Sequence, residues 1–500
     1  MSQLFERKPI KMLMAEMEGE NRLKRVLGPV QLTALGVGAI IGTGIFVMTG
    51  VAAHDKTGPA LILSFLVAGI ACILTALCYA EFASMVPIAG SAYTYAYATL
   101  GELFAWIIGW DLVLEYTVAA ASVAHGWSKY FQDFIGIFSV KLPVAFTQSP
   151  FDYSPELGKL VGTGCYFDLP AVAISLLLTI ILVVGVKESA SFNAAMVIVK
   201  TSVVLFVIGV GAWYVKPENW VPFAPYGYSG ISFFGHTLLG QTDAGGAPLG
   251  VLAGAAMMFF AYIGFDAVST QAEEAKNPQR DLPIAIIGSL IICTVLYVGV
   301  AAVLTGMVKY SELNIDAPVS DAFAKVGLPW AQMLISVGAM TGITSVLLVL
   351  LLSQPRIFLA MARDGMVPPS IFAAIHPRFR TPWISTILTG AAVGVIAALI
   401  PLRILAELVN IGTLLAFVIV CAAVIVMRRT DPDQPRPFRC PAVPFVPLLG
   451  IAFCLLLMFS LPPENWVRLV VWLLLGLVVY FCYGRHHSVL ARHRAESAGR

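Results

Sequence analysis

Three ionisable residues interrupt otherwise apolar stretches of the sequence. Lys200 lies in "FNAAMVIVKTSVV", and Asp111 and Glu115 lie four apart in "GWDLVLEYTVAA", a spacing that puts both on one face of a helix. An ammonium in apolar surroundings is a candidate to load and release a proton, because loss of solvation favours its neutral form. Glu115 would hold a cationic side chain, take part in a proton relay or pair with another buried polar group, and Asp111 is expected to be structural, with a small or aromatic donor on a neighbouring span. A different chemistry is offered by "GVGAIIGTGIF", Gly36 to Phe46, where four glycines each weaken a helix by about 1 kcal/mol. Backbone freed there would present N–H groups to an anion.

These residues must be positioned by membrane helices. The 500-residue chain is 58% hydrophobic and 12% charged, with a mean hydropathy of +0.84, against about 25% charged in a soluble domain. Apolar runs of about 20 residues, enough to cross a bilayer, recur at 30–54, 59–82, 102–130, 169–186, 193–215, 251–274, 283–307, 331–362, 382–401, 404–427, 442–461 and 465–484. With a cytoplasmic N-terminus, 21 of the 31 Lys and Arg residues fall inside and 9 outside, so both termini are expected in the cytoplasm.

Several function classes lose support. Residues 1–29 have no apolar core before a cleavage site and do not form a signal peptide. They suit a helix lying on the inner surface through Phe5, Ile10, Leu13 and Met17. The net charge of +2 is spread over many loops, as topology demands, and gives no sign of a nucleic-acid partner. Six of the eight cysteines lie in or at the ends of spans, and Cys165 alone falls in an outer loop, so neither a disulfide framework nor metal-ligand spacing is present. No metal or other cofactor is expected. No nucleophile and base pair points to an enzyme. Residues 428–484 supply two further spans beyond a core of 30–427, and 485–500 form a tail. The outer loops 131–168 and 216–250 are the longest, and the second, rich in Gly, Pro and aromatics, suits either a partly ordered cap or an ordinary loop.

A second weakened helix occurs at "MMFFAYIGFDAVSTQAEEAKNPQRDLP", where Phe260 leads through Gly264 to Asp266, a candidate cap for the helix that resumes. The breaks near 38–44 and 260–264 fall in the first and sixth spans, which cross in opposite directions and head the halves 30–215 and 251–427. Gly42 lies ~18 Å from the inner end of its span and Phe260 ~14 Å from the outer end of its own, so both are near the midplane. Paired interruptions of this kind mark a secondary-transporter site. The first would offer N–H groups to a carboxylate and the second carbonyls to an ammonium. Gly38 and Gly42 also form a G-x-x-x-G pair, which by itself would serve close helix packing.

Four stretches in order, "GVGAIIGTGIF", "EFASMVPIAGSAYTYAYATLGEL", "FFAYIGFDAVSTQAEEAKNPQRDLP" and "PRIFLAMARDGMVP", resemble the amino acid, polyamine and organocation transporter superfamily, in particular bacterial members of the cationic amino acid transporter family. The resemblance implies an all-α integral membrane protein with about 12 transmembrane helices: a five-plus-five inverted repeat of the leucine-transporter type plus two extra helices. It implies a substrate carboxylate held by main-chain N–H groups around Ile40, Ile41, Gly42, Thr43 and Gly44, and an amino group held by carbonyls of Phe260, Ala261 and Ile263. It places Glu115 near the pocket and Leu350 at a pocket position on the eighth span, where bulk favours small or medium neutral substrates, although the family label points towards arginine, lysine or ornithine. It also suggests that the Lys200 ammonium takes the place of the cation bound by sodium-coupled relatives.

The expected function is secondary active transport of L-amino acids by alternating access across the plasma membrane, with protons carried by Lys200 or Glu115. The alternatives are a cationic amino-acid exchanger and a non-transporting sensor, which would call for a large signalling segment. The partners are the substrate, protons and the lipid bilayer; oligomeric state and accessory subunits stay open. Glu273, Glu274, Lys276, Arg280, Arg356, Arg363 and Asp364 are either an inner gate or solvated loop charges.

Overall fold

Hydrocarbon offers backbone groups no partners, so each apolar run must satisfy its own by forming a helix. The computed structural model describes residues 3–9, 27–86, 88, 91–154, 159–184, 189–234, 236–244, 246–379 and 381–490. Among these, eight helical stretches are long and apolar enough to cross a membrane, and four shorter apolar helices accompany them. The stretch Gly44–Met85 holds parts of two expected spans, because Gly58, at φ +63°, turns the chain between Ala53–Thr57 and Leu61–Met85. Pro29–Ile40 supplies the inner part of the first span.

The remaining spans are Glu102–Ile137, Leu169–Val184, Ser189–Gly211, Val251–Met258 with its continuation, Pro278–Met307, Pro329–Arg363, Trp383–Leu399, Leu402–Thr430, Phe445–Phe459 and Pro463–Val479. Proline opens the seventh, eighth and twelfth, where its missing N–H would have had no intrahelical acceptor. A further helix, Ser91–Thr99, lies between the second and third spans.

The inner part of the first span packs on the fifth and seventh spans, and the second packs on the seventh and on Val251–Met258. The third packs on the eighth and tenth, and the fourth on the ninth. The eleventh joins the second and tenth. The twelfth lies against the third and tenth, fixed by the stacked rings of Trp110 and Trp472, 4.6 Å apart, whose indole N–H groups donate to each other's main-chain carbonyls at 2.9 and 3.0 Å.

The long outer loops carry short antiparallel ribbons that hydropathy does not reveal: Phe151–Ser154 with Lys159–Gly162, Ile231–Phe233 with His236–Leu239, and Gln241–Thr242 with Pro248–Leu249. The second loop is docked on the outer end of the first span, where the Lys56 ammonium donates to the Pro248 carbonyl at 3.1 Å and the Tyr226 hydroxyl to that of His54 at 3.0 Å. Of the expected surface helix, Phe5 lies in a helical turn, Gln3–Phe5, while Ile10, Leu13 and Met17 lie outside the described residues.

Candidate functional site

The first span ends its inner helix at Ile40. Ile41 is extended, at φ −72° and ψ 102°, with its N–H still donating to the Val37 carbonyl at 3.0 Å, and the chain winds up again from Gly44. The opening turn of a helix has no intrahelical acceptors for its N–H groups. Gly42, Thr43 and Gly44 are therefore the donors on offer. Ile41 is not one of them in this conformation, and Ile40 belongs to the preceding helix.

The sixth span breaks in the corresponding place. After Val251–Met258 a tight turn, Phe259–Tyr262, runs into extended Ile263 and then Gly264 at φ +109°, beyond which Phe265–Glu274 continues as a 3-10 helix. Gly264, and not Asp266, holds the capping position. A side chain at Gly264 would be strained by that φ and would lie 2.8 Å from the Ala39 carbonyl oxygen. Likewise a Cβ at Gly44 would collide with the Ala261 backbone. The two breaks thus touch twice, through glycine. Gly36, by contrast, packs against Ser289 and Val268, so the glycine run serves helix packing at one end and backbone approach at the other.

Between the breaks lies a cavity of about 20 Å³. Of the residues expected there, Ile40, Gly42, Thr43, Gly44, Phe260, Ile263 and Leu350 line it, joined by Ala39, Ala119, Val123 and Val346. A volume near that of one water molecule leaves no room for an amino acid, so the site is closed. Ile41 and Ala261 face elsewhere: the Ile41 carbonyl accepts from Lys200, and the Ala261 carbonyl from Tyr297. Glu115 is also absent from the lining, one helical turn from Ala119.

Tyr297, on the seventh span, has its hydroxyl 2.9 Å from the Ile40 carbonyl and 2.7 Å from that of Ala261. One proton faces two acceptors, so it can donate to only one break at a time. Asn410, on the tenth span, donates to the Ala256 and Met257 carbonyls at 2.8 and 3.4 Å and steadies the outer half of the sixth.

Lys200 is fully buried, and its ammonium donates to the carbonyls of Gly38 and Ile41, the latter at 3.0 Å, and to Ser345 Oγ at 2.8 Å. Its three N–H bonds are used to tie the fifth and eighth spans to the first break. The acids behave differently. Asp266 accepts from the Tyr116 hydroxyl at 2.9 Å and from Ser91 at 3.5 Å. Both carboxylate oxygens of Asp111 and Oε2 of Glu115 have no hydrogen-bond partner among the described residues. The small or aromatic donor expected for Asp111 is not found there; the carboxylate abuts Gly412 instead.

A vestibule of about 420 Å³ opens at the face that carries the long loops, lined by Val47, Met48, His54, His125, Lys129 and Arg403 among others. The opposite face is closed. Glu274 approaches Arg356 at 3.9 Å, its carbonyl accepts from the Leu27 N–H at 3.0 Å, and Lys276 N–H reaches back to the Leu27 carbonyl at 2.9 Å. Asp364 is held by the buried Lys8 ammonium at 2.6 Å and the Tyr93 hydroxyl at 2.7 Å. The closed face therefore includes the N-terminal segment, which charge in the later loops did not suggest. The Glu273 side chain lies outside the described ones.

A helical membrane bundle with two broken spans meeting across a closed cavity, open on one side and sealed on the other, has the build of a secondary transporter. The profile of the amino acid permease family matches residues 27–481, and the chain belongs to that family. It is 49% identical to the branched-chain amino acid permease BcaP of Bacillus subtilis, over 97% of this chain and 99% of that protein. It is 48% identical to the methylthioribose transporter of the same organism, over 98% and 100%. A vacuolar cationic amino acid transporter 4 of Arabidopsis thaliana is 33% identical over 98% and 97%. The chain is an amino acid transporter of the membrane and not an enzyme.

Proposed function

We propose that the protein carries neutral, aliphatic L-amino acids across the plasma membrane by proton symport, with both termini in the cytoplasm. The observation that carries the substrate reading is the cavity wall: beside the two breaks it consists of Ala119, Val123, Val346, Leu350, Phe260 and Ile263, with no carboxylate to receive a cationic side chain. The branched-chain substrates named for the BcaP relative suit this reading. The substrate carboxylate would meet the N–H groups of Gly42, Thr43 and Gly44, and its ammonium the carbonyls of Phe260 and Ile263. The same backbone clamp serves any L-amino acid, and the apolar wall sets the side chain.

In the proposed organisation a transporter core spans 30–427 with halves 30–215 and 251–427, preceded by a cytoplasmic segment 1–29 and followed by two added spans in 428–484 and a tail 485–500. Proton coupling rests on Lys200, whose ammonium bridges the first break to the fifth and eighth spans. A proton lost from Lys200 would leave two N–H donors facing the three acceptors, the carbonyls of Gly38 and Ile41 and Ser345 Oγ, so one of them would lose its donor and that bridge would loosen. Glu115 is the second candidate carrier, because Oε2 has no partner among the described residues.

A competition panel in proteoliposomes tests the substrate class. Labelled L-isoleucine uptake should be blocked by L-leucine, L-valine and L-alanine and spared by L-arginine. Inhibition by L-arginine at the same concentrations as L-leucine would favour the cationic exchanger, with Glu115 as partner of the side chain. Binding without any uptake would favour the sensor.

A further inference from the structure

The second span, the tenth span and the loop after it are knotted together at the sealed face. Glu81 accepts from Arg428 Nε and Nη2 at 2.9 and 2.8 Å and from the Cys440 N–H at 2.8 Å, and pairs with Arg436 at 3.3 Å. Three residues before Glu81, on the same face of the helix, Cys78 holds its sulfur 4.0 Å from that of Cys440. Both thiols are free. The Glu81 clamp grips the Cys440 main chain directly, which keeps the two sulfurs opposite each other. Closing to a bond of about 2.05 Å needs a relative movement of about 2 Å, within reach of side-chain rotation.

We propose that Cys78 and Cys440 are a thiol pair poised to form a reversible disulfide, which ties the second span to the loop after the tenth and arrests transport.

The oxidant is a small hydroperoxide. The Cys440 thiolate attacks hydrogen peroxide, the O–O bond breaks, and Cys440 becomes a sulfenic acid as hydroxide leaves. The Cys78 thiol then attacks that sulfur, the S–S bond forms, the S–O bond breaks, and the thiol proton leaves with the oxygen as water. Two thiols are oxidised and one peroxide is reduced to two waters, counting the hydroxide once protonated. Cys440 suits the first step: the hydrogen bond with the Cys78 thiol, helped by the Arg428 charge, outweighs burial and the Glu81 carboxylate and holds its own thiol below the ordinary range. On the face proposed as cytoplasmic, a disulfide would be transient and regulatory, since thiols there are kept reduced.

The link has a mechanical consequence. The second span packs on the seventh span and the outer part of the sixth on one side and on the tenth and eleventh on the other, and the loop holding Cys440 runs between those last two. If opening of the sealed face shifts the second span against the tenth–eleventh loop, the Glu81 clamp allows that because its bonds are reversible. A covalent bond beside it does not.

The test uses the full chain in proteoliposomes, treated with hydrogen peroxide, alkylated, digested and mapped by mass spectrometry. A Cys78–Cys440 linked peptide is expected, and exchange of labelled L-isoleucine should fall about tenfold and return after dithiothreitol, as one conformer is trapped and released. Cys78→Ser and Cys440→Ser should keep the untreated rate and lose the sensitivity, whereas Cys421→Ser should behave as the parent. The proposal is overturned if no such peptide forms, if Cys78 joins Cys421 instead, if the link leaves exchange unchanged, or if Cys440→Ser is inhibited as strongly as the parent. The peptide map needs no variant, so a serine variant that fails to fold leaves the test standing.

Discussion

Lys200 and the Asp111 and Glu115 pair are all buried in the membrane bundle, but they differ in how their bonding capacity is met. Each N–H of the Lys200 ammonium has an acceptor, two of them main-chain carbonyls of the first break. Asp111 has two carboxylate oxygens and no donor among the described residues, and Glu115 has one oxygen in that state. A buried polar group without a partner costs about 1–3 kcal/mol. Lys200 is thus part of what holds the closed conformation together, whereas the acids retain unmet demand and are free to take up a proton or a donor when the bundle rearranges.

The largest effect should come from Lys200→Ala. It leaves the Gly38 and Ile41 carbonyls without their donor, and removing one partner of a buried charged interaction costs about 2–5 kcal/mol. Gradient-driven uptake should fall at least about a hundredfold; unchanged pH-dependent uptake by Lys200→Ala or Lys200→Gln would erase the contrast drawn above. Tyr297→Phe removes one hydroxyl that serves the two breaks in turn, a loss of about 1–3 kcal/mol, and should weaken the apparent substrate affinity about tenfold in a KM measurement. Leu350→Ser enlarges the cavity wall without touching either break. It should let L-phenylalanine and L-methionine compete with L-isoleucine a few-fold better, by about 1 kcal/mol, and an unchanged competition profile would remove Leu350 from the selectivity wall. The smallest effect is expected at Asp111→Asn, a near-isosteric change that relieves a carboxylate with no donor. Its melting temperature should stay within about 1 kcal/mol equivalent of the parent or rise, whereas a large fall would reveal a partner that Asp111 depends on.

Much of this architecture is readable from the sequence because a bilayer demands about 20 apolar residues per crossing and leaves no other way to satisfy the backbone. The breaks announce themselves as well, through Gly42, Gly44 and Gly264. Residues that steady the breaks do not. Tyr297, Ser345 and Asn410 are single polar groups inside apolar helices, and neither periodicity nor a motif says which carbonyl each will reach. Asp111 and Glu115 illustrate the same limit. Their spacing places them on one face of the third span, which Ala119 and Val123 continue at four-residue intervals, but nothing in the spacing fixes the depth at which the cavity meets that face, and Glu115 lies one turn short of it. The pairing of Lys8 with Asp364 was equally hidden, since it joins residues 356 positions apart.

The claim that matters most is that the first break holds the substrate while Lys200 links it to the proton. The measurement is labelled L-alanine uptake into proteoliposomes under an inward proton gradient, with L-arginine as competitor and Lys200→Ala alongside. Uptake driven by the gradient, lost in the variant and little affected by L-arginine, is the expected result. No L-alanine uptake, with L-arginine moving only when counter-substrate is present inside, would contradict it.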